Sequence, residues 1–265
     1  MNPLVSFIIP LYNYKKYIGY CIQSLLNQTY DNLEIIVVDD CSTDSSVEKA
    51  KKFKDHRIQV VELTKNGGYS AAKNHGIIRS RGELICILDA DDMLTKKSVA
   101  KRVEKIEQSE VDFLHADAIA IYGNMSLDDC YRINISKLPM FSEKLHRKRE
   151  NSLERFSTPY HMHAQTVMVR RNVYNKFGLY DESLRSRSDR EMWWRFFGQK
   201  DGDKEHISRC FLEYPVVYYR YHDKSMTTKR NKNRKYDKEV RRLSEEAYNT
   251  RKDGITKENT RFGDL

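Results

Sequence analysis

The sequence has no long apolar segment. Hydrophobic residues make up only 39% of its 265 residues, and each apolar run is shorter than the roughly 20 residues that a membrane-spanning helix needs. Residues 1–10 lack both the basic region and the long apolar region of a secretory signal. We therefore expect a cytoplasmic protein whose contact with a membrane is at most peripheral.

The sequence also lacks the cysteine pattern of a disulfide framework or a zinc site. Its five cysteines are an odd number, are widely spaced and contain no C-x-x-C pair. Cys21 and Cys86 lie in apolar runs, where a cysteine behaves as a small core residue. A reducing compartment fits this usage.

Positive charge exceeds negative charge. There are 47 lysines and arginines against 38 acidic residues, a formal net charge of +9. Much of the excess lies at 144–149 and 229–242. Such segments suit anionic partners such as nucleic acid, lipid headgroups or phosphorylated substrates, or form a solvated tail. The chain carries no nucleic-acid recognition motif, so we expect no nucleic-acid partner.

The first half alternates short apolar runs with amphipathic stretches. This pattern predicts strands at 4–10, 33–38, 58–63, 84–88 and 111–122, and helices at 14–27, 43–53, 70–79 and 95–108. Strands that are apolar throughout are typical of a sheet covered on both faces. The alternation predicts an α/β fold with an open, doubly wound, mostly parallel sheet flanked by helices.

The second half has a different rhythm. Residues 123–160 are polar and include a possible short helix near 142–155. The pattern then predicts a strand within 161–171, a helix at 189–197 and a strand at 214–221. Residues 229–265 form a charged tail with a predicted helix near 236–250. We expect one domain at 1–228 followed by this tail.

Acidic residues follow the second and fourth predicted strands. Asp39 and Asp40 end one, and Asp89, Asp91 and Asp92 end the other. The carboxyl ends of parallel strands meet at one edge, where such sheets bind ligands. Five carboxylates there would repel one another, and a divalent cation such as Mg²⁺ or Mn²⁺ would relieve that repulsion. The alternative is that they are ordinary turn and cap aspartates, as we expect for Asp44.

Four segments, in this order and each at a strand end, resemble the family 2 glycosyltransferases of GT-A fold. They are SFIIPLYN at 6–13, VDDCSTD at 38–44, NGGYSAAKNHG at 66–76 and LDADD at 88–92. The resemblance is strong over residues 4–122 and looser over 160–228. It implies that 1–122 is the nucleotide-sugar-binding half and that 123–228 is the acceptor-binding and catalytic half.

The resemblance implies roles for individual residues. The predicted nucleotide contacts are Pro10, Tyr12, Asn13, Asp40, Asn66, Lys73 and Asp89, with Asp89 on the ribose. Within the D-x-D element, Asp91 is the expected ligand of Mn²⁺ or Mg²⁺. Asp92 either assists or caps the next helix. The family usually has glycine in place of Cys41, so the shape of that turn is expected to differ. It usually has arginine in place of Lys73, and a lysine can meet a phosphate or a base carbonyl but not in a two-pronged fashion.

Two later segments carry the rest of the resemblance. Residues 188–195, SDREMWWR, resemble an element Glu-Asp-x-x-Leu-Trp-x-Arg, in which Asp189 matches the general base. Asp189 is alternatively a helix cap, with Glu191 as the fallback base. Residues 219–227 resemble Tyr-Arg-x-His-x-x-Ser-x-Thr, which makes His222 a second predicted metal ligand. The expected acceptor contacts are His163, Gln165 and Trp194.

These roles imply a metal-dependent, inverting transfer of a sugar, such as a hexose, from a nucleotide-sugar to an acceptor hydroxyl. We expect a UDP-sugar donor and an acceptor that is a glycan or glycoconjugate. Ser188 in place of the usual glutamate, together with Cys41, leaves an inactive family member as an alternative. A nucleotidyltransferase and a basic nucleic-acid-binding protein are others. A dinucleotide oxidoreductase is disfavoured because no G-x-G-x-x-G follows the first strand.

Overall fold

The structure is a computed structural model that describes residues 2–135, 162–184, 188–197, 207–223, 225 and 242. The predicted helix near 142–155, the basic cluster at 144–149 and nearly all of the tail lie outside the described residues. None of the described helices is long and apolar enough to cross a membrane.

Strands and helices alternate through the first half as the sequence predicts, apart from a two-residue strand at Met93–Leu94 that was not predicted. In chain order they are β1 (Val5–Leu11), α1 (Ile18–Leu26), β2 (Leu33–Asp39), α2 (Ser46–Lys51), β3 (Ile58–Glu62), α3 (Tyr69–Arg79), β4 (Leu84–Ile87), β5 (Met93–Leu94), α4 (Ser98–Ser109) and β6 (Phe113–Tyr122).

The second half contains elements that the sequence pattern did not predict. The short helices α5 (Leu127–Tyr131) and α6 (Arg171–Phe177) are among them. The other elements are a 3₁₀ turn (Ala164–Thr166), β7 (Met168–Arg170), α7 (Ser188–Phe197) and β8 (Arg209–Tyr221). Strand β8 begins before its predicted start because its first residues pair with β6, ahead of a register shift near Asp117.

The described strands form one mixed sheet in the order β3-β2-β1-β4-β7-β6-β8-β5. Strands β1 to β4 pair in parallel, as expected. Strand β7 runs antiparallel to both β4 and β6 and separates them. A short strand from the second half is therefore built into the middle of the sheet, which joins the two halves of the chain.

Strand β1 is buried on both faces. Phe7 and Ile9 pack in the core beneath α1 and α4, whereas Ile8 packs with Ile77 of α3 on the opposite face. Helix α3 approaches β1 so closely that a Cβ on Gly76 would lie 2.3 Å from a methyl carbon of Ile8. This contact explains the glycine and holds α3 at the edge of the site.

The turn after β2 keeps a left-handed residue. Cys41 has a φ of 62°, a conformation that favours glycine. Its Sγ lies 3.1 Å from the carbonyl oxygen of Leu63, to which the thiol donates. Cys41 thus adopts the left-handed conformation that favours glycine, in spite of its side chain.

Candidate active site

Strands β1, β2 and β4 end at the same edge of the sheet. Leu11 is paired with Asp39, and the amide of Asp40 donates to the carbonyl of Leu11 at 2.8 Å. On the other side of β1, the amide of Leu88 donates to the carbonyl of Ile8 at 2.9 Å. The structure therefore brings Asp40 and the turn at 89–92 to one edge, as the sequence predicts.

Three carboxylates form a cluster just beyond β4. Asp89, Asp91 and Asp92 each offer an oxygen, and these oxygens lie within 4.8 Å of one another. Burial, and next the charge of Asp91, raises the pKa of Asp89 to about 7. The same two causes raise the pKa of Asp92 well above its usual range. The negative charges of the three carboxylates are therefore not balanced by the positive groups around them.

The donor set of this cluster fits a hard divalent cation. Carboxylate oxygens are the ligands that Mg²⁺ and Mn²⁺ prefer. Oδ2 of Asp92 is buried and has no hydrogen-bond partner in the described part of the chain, so it remains available as a ligand. Helix α4 begins only at Ser98, so Asp92 does not cap it.

His222 lies directly against the cluster. Its Nε2 is 2.9 Å from Oδ2 of Asp91. The imidazole packs beside the ring of Tyr17, with 4.9 Å between centroids, and edge-on to Tyr14 at 6.1 Å. The two residues predicted as metal ligands, Asp91 and His222, are thus brought together by the fold.

Two side chains from distant parts of the sequence donate hydrogen bonds to the carboxylate of Asp89. The hydroxyl of Tyr69 donates to Oδ1 at 2.6 Å, and the amide of Gln165 donates to Oδ2. Gln165 was predicted to contact the acceptor, but its amide is directed at Asp89. Tyr69 was not predicted, although its place between the glycine pair and Lys73 could have indicated it.

Arg220 is a further site residue that the sequence reasoning missed. It is nearly fully buried. Its amide donates to Oδ1 of Asp92 at 2.8 Å, and its Nε donates to the carbonyl of Asp91 at 2.9 Å. The other nitrogens donate to the carbonyls of Gly123 and Met125. A single arginine on β8 therefore fixes the acidic turn in place.

The carboxylate of Asp40 binds a neighbouring loop. It accepts hydrogen bonds from the amides of Gly67 at 2.7 Å and Gly68 at 2.8 Å. Asn66 donates from its side chain to the carbonyl of Asp40 at 2.8 Å. Two predicted nucleotide contacts thus hold each other at the edge of the sheet, where Asp40 also orients the start of α3.

The other predicted nucleotide contacts occupy different environments. Pro10 is buried within β1, whereas Tyr12 is 46% exposed at the same edge. The side-chain oxygen of Asn13 accepts hydrogen bonds from the amides of Thr43 and Asp44. Of these three, Tyr12 presents the most open surface to a ligand.

Lys73 faces Asp189, the residue predicted to act as the general base. Its Nζ donates to Oδ1 of Asp189 at 2.7 Å and to the hydroxyl of Ser188 at 3.1 Å. The side chain of Lys73 is fully buried, and that of Asp189 is 24% exposed. Burial lowers the pKa of Lys73, against the opposing charge of Asp189. The predicted contact of Lys73 with a nucleotide is not supported, because its ammonium is enclosed.

Two predicted site residues on α7 lie in the core. Glu191 is fully buried and pairs with Arg195, with 2.7 Å between Oε1 and Nε. Trp194 is also fully buried. We therefore correct both expectations: Glu191 is not placed to receive a proton from an acceptor, and Trp194 offers no face on which a sugar can stack.

His163 remains near the acceptor side. It is partly buried, and its ring lies 5.0 Å from that of Tyr219 on β8. It precedes the 3₁₀ turn that carries Gln165. Its predicted contact with an acceptor stays a prediction.

Curated relatives match the first part of the chain. GlyG, a glycosyltransferase of Streptococcus pneumoniae serotype 4, is 39% identical over 114 residues, which is 42% of this chain and 38% of GlyG. TuaG of Bacillus subtilis, a putative teichuronic acid biosynthesis glycosyltransferase, is 39% identical over 105 residues. That match covers 39% of this chain and 42% of TuaG. The chain thus spans less than half the length of these two relatives.

Solved structures share the fold at low sequence identity. S. aureus TarS 1-349 in complex with UDP-GlcNAc superposes with a TM-score of 0.67 and 20% identity, covering 92% of this chain and 66% of that one. A mannosyltransferase of Pyrobaculum calidifontis in complex with GDP-Man and Mn²⁺ has a TM-score of 0.55 at 20% identity. It covers 81% of this chain and 58% of that one. The likeness confirms the predicted GT-A fold.

The family assignment rests on a longer match. The sequence model named Glycosyl transferase family 2 matches residues 6–178. The matched range contains β1, the turn after β2, the glycine pair before α3 and the acidic cluster after β4. It is well over half of the chain and runs across the whole strand edge described above. The chain belongs to glycosyl transferase family 2.

Proposed function

We propose that this protein is a metal-dependent, inverting glycosyltransferase that moves a sugar from a UDP-sugar to a hydroxyl of a glycan or glycoconjugate. The observation that carries the proposal is the buried carboxylate cluster at the strand edge, with His222 against Asp91 at 2.9 Å. The UDP-GlcNAc bound by TarS and the teichuronic acid role in the name of TuaG support the choice of donor and acceptor.

The proposed donor site lies along the strand edge. Tyr12 is exposed for contact with the nucleoside, and Asp40 fixes the loop at 67–68 beside it. Asp89 is oriented by Tyr69 for the ribose. The cluster with His222 would hold Mn²⁺ or Mg²⁺, which supplies Lewis-acid neutralisation of the leaving diphosphate.

The proposed chemistry uses Asp189 as the general base. Its carboxylate receives the acceptor's hydroxyl proton as the hydroxyl oxygen forms a bond to the anomeric carbon. The bond from that carbon to the diphosphate oxygen breaks, and UDP leaves with the electron pair. Attack occurs from the face opposite the diphosphate, so the anomeric configuration inverts. Placement of the two substrates together lowers the entropic part of the barrier.

The first experiment is a calorimetric titration with UDP, with and without Mn²⁺, and with GDP for comparison. We expect metal-dependent UDP binding that Asp91→Asn abolishes. Asp55→Asn is the matched control, since Asp55 pairs with Arg57 away from the cluster. Preference for GDP would overturn the donor, and absence of binding to either nucleotide would overturn the enzymatic role.

The second experiment follows the reaction. UDP-GlcNAc is the first donor to test, with release of UDP as the measured product. The anomeric configuration of the transferred sugar is read by nuclear magnetic resonance. An α-linked donor should give a β-linked product, and retention of the α configuration would exclude the proposed single displacement.

A further inference from the structure

Lys73 occupies an unusual environment for a lysine. It is fully buried, and its Nζ lies 3.5 Å from the ring centroid of Tyr180 and 4.2 Å from that of Tyr69. The same nitrogen donates to Asp189 at 2.7 Å and to Ser188 at 3.1 Å. A buried ammonium is costly unless it is paired, and here a carboxylate, a hydroxyl and two aromatic faces surround it.

The backbone that carries Lys73 is fixed to the segment before α7. Asn74 donates from its side chain to the carbonyl of Tyr180 and accepts from the amide of Tyr180, both at 2.9 Å. The hydroxyl of Ser70 donates to the carbonyl of Leu184 at 3.1 Å. The ammonium therefore meets Asp189 from a rigid platform.

The hydrogen-bond acceptors around Lys73 suit an ammonium. Its Nζ is hydrogen-bonded to the hydroxyl of Ser188 and to the carboxylate of Asp189. An ammonium has three donors, whereas a guanidinium has five in a fixed fork. One carboxylate and one hydroxyl suit the smaller cation, so Lys73 and Ser188 are complementary.

We infer that Lys73 is a positioning residue for the base, and that it acts through Asp189 rather than through the donor. Its ammonium fixes one oxygen of Asp189, and the side chain of Asp189 stays 24% exposed, which leaves it accessible to an acceptor. Ser188 shares the ammonium and fixes its direction. This inference rests on the proposed function, since it requires Asp189 to accept a proton.

The test compares Lys73→Met, Asp189→Asn and the double variant in the full chain. We measure UDP release from the UDP-sugar and, separately, the Kd of UDP with Mn²⁺. Lys73→Met should lower kcat at least about tenfold and leave the UDP Kd unchanged, because the general base contributes on the order of 100-fold or more. The double variant should be no slower than Asp189→Asn, since residues that act as a unit are not additive.

Several outcomes would overturn the inference. A tenfold rise in the UDP Kd of Lys73→Met would instead make Lys73 a diphosphate ligand. Independent, multiplicative losses in the double variant would show that Lys73 acts elsewhere, and unchanged kcat in Lys73→Met would remove its role. Lys101→Met is the control, because Lys101 forms an exposed ion pair with Glu104 on α4.

If Lys73→Met does not fold, a milder variant still tests the inference. Ser188→Ala removes one of the two hydrogen bonds from Nζ and should lower kcat a few-fold at unchanged UDP Kd. Unchanged kcat in Ser188→Ala would contradict the role of Ser188 in fixing the direction of the Lys73 ammonium. Failure of the wild-type protein to release UDP would overturn the proposed function itself, whereas an active wild type with an equally active Lys73→Met would overturn only the inference.

Discussion

The Nε of Arg220 donates a hydrogen bond to the backbone carbonyl of Asp91 at 2.9 Å, although the two residues are 129 positions apart. The contact joins β8 to the turn after β4. It gives the proposed metal site a fixed backbone, because the amide of Arg220 also binds the carboxylate of Asp92.

Arg220→Lys should therefore show whether the site needs only the positive charge of Arg220 or also the planar shape of its guanidinium. Lysine keeps the positive charge but lacks the planar fork that reaches several carbonyls at once. We expect a loss of about 1–3 kcal/mol in the free energy of unfolding for each buried carbonyl that is left without a donor, measured by urea denaturation. UDP affinity with Mn²⁺ should fall at least about tenfold, as for supporting groups of metal ligands.

Arg171→Lys is the matched control for Arg220→Lys. Arg171 also donates to a carbonyl, that of Gly82, and to the hydroxyl of Ser80, but these two residues precede β4, whereas the carboxylate cluster follows it. Its substitution should leave UDP affinity unchanged. Equal losses of affinity in the two variants would mean that general destabilisation explains both.

Asp91→Asn should stabilise the metal-free protein while it removes the response to metal. The cluster brings three carboxylates together, and loss of one charge relieves their repulsion. Wild-type protein should gain about 2.7 kcal/mol when Mn²⁺ is present at 100 times its Kd. The variant should show a higher melting temperature without Mn²⁺ and no rise on its addition, read by differential scanning calorimetry.

Gly76→Ala should destabilise the packing of α3 on β1. Its Cβ would lie 2.3 Å from Cγ2 and 3.0 Å from Cγ1 of Ile8, so the helix must shift. The expected cost is about 1–3 kcal/mol, typical of overpacking. In the Ile8→Ala background, where those carbons are absent, the same change should cost much less, and urea denaturation of the four proteins measures the difference.

Gly19→Ala controls for the effect of alanine on a helix. Gly19 lies in α1, and a Cβ there meets nothing within 4 Å. We expect a gain of up to about 1 kcal/mol from helix propensity. If Gly76→Ala were as harmless as Gly19→Ala, the close approach of α3 to Ile8 would be refuted.

Glu34→Gln should weaken the dependence of stability on acid. Burial acts to raise the pKa of Glu34, but hydrogen bonds from Arg81 and Ser6 outweigh it, and the net shift is downward. Because the folded pKa lies below the ordinary 4.5, the carboxylate stabilises the fold above that pH. The contribution is lost as the pH falls through the lowered pKa.

The measurement is the free energy of unfolding at pH 7 and at steps below pH 4.5. The wild-type protein should lose more stability than Glu34→Gln over this window, and the variant should be weaker at pH 7. Glu48→Gln, on the exposed face of α2, is the control. Parallel pH profiles for wild type and Glu34→Gln would contradict the role of Glu34.

The sequence alone determined the elements of the first half, apart from β5, and the edge at which the site forms. Continuous apolar runs can only be buried on both faces, and strands that alternate with helices must run parallel. The carboxyl ends of β2 and β4 must then meet, and this places Asp40 at the same edge as Asp89 and Asp91. The contact of His222 with Asp91 also agrees with the resemblance to the family.

The tertiary structure decided what local patterns could not encode. The burial of Trp194 could not be read from the pattern of its own helix. Whether Lys73 faces a nucleotide or Asp189 depends on two elements that are more than 100 residues apart. The insertion of β7 between β4 and β6 also could not be predicted from the local sequence, because three residues carry too little periodicity to specify their neighbours. Local sequence dictates which side chains are buried or charged along one element, but the pairing of distant elements decides which of them share a site.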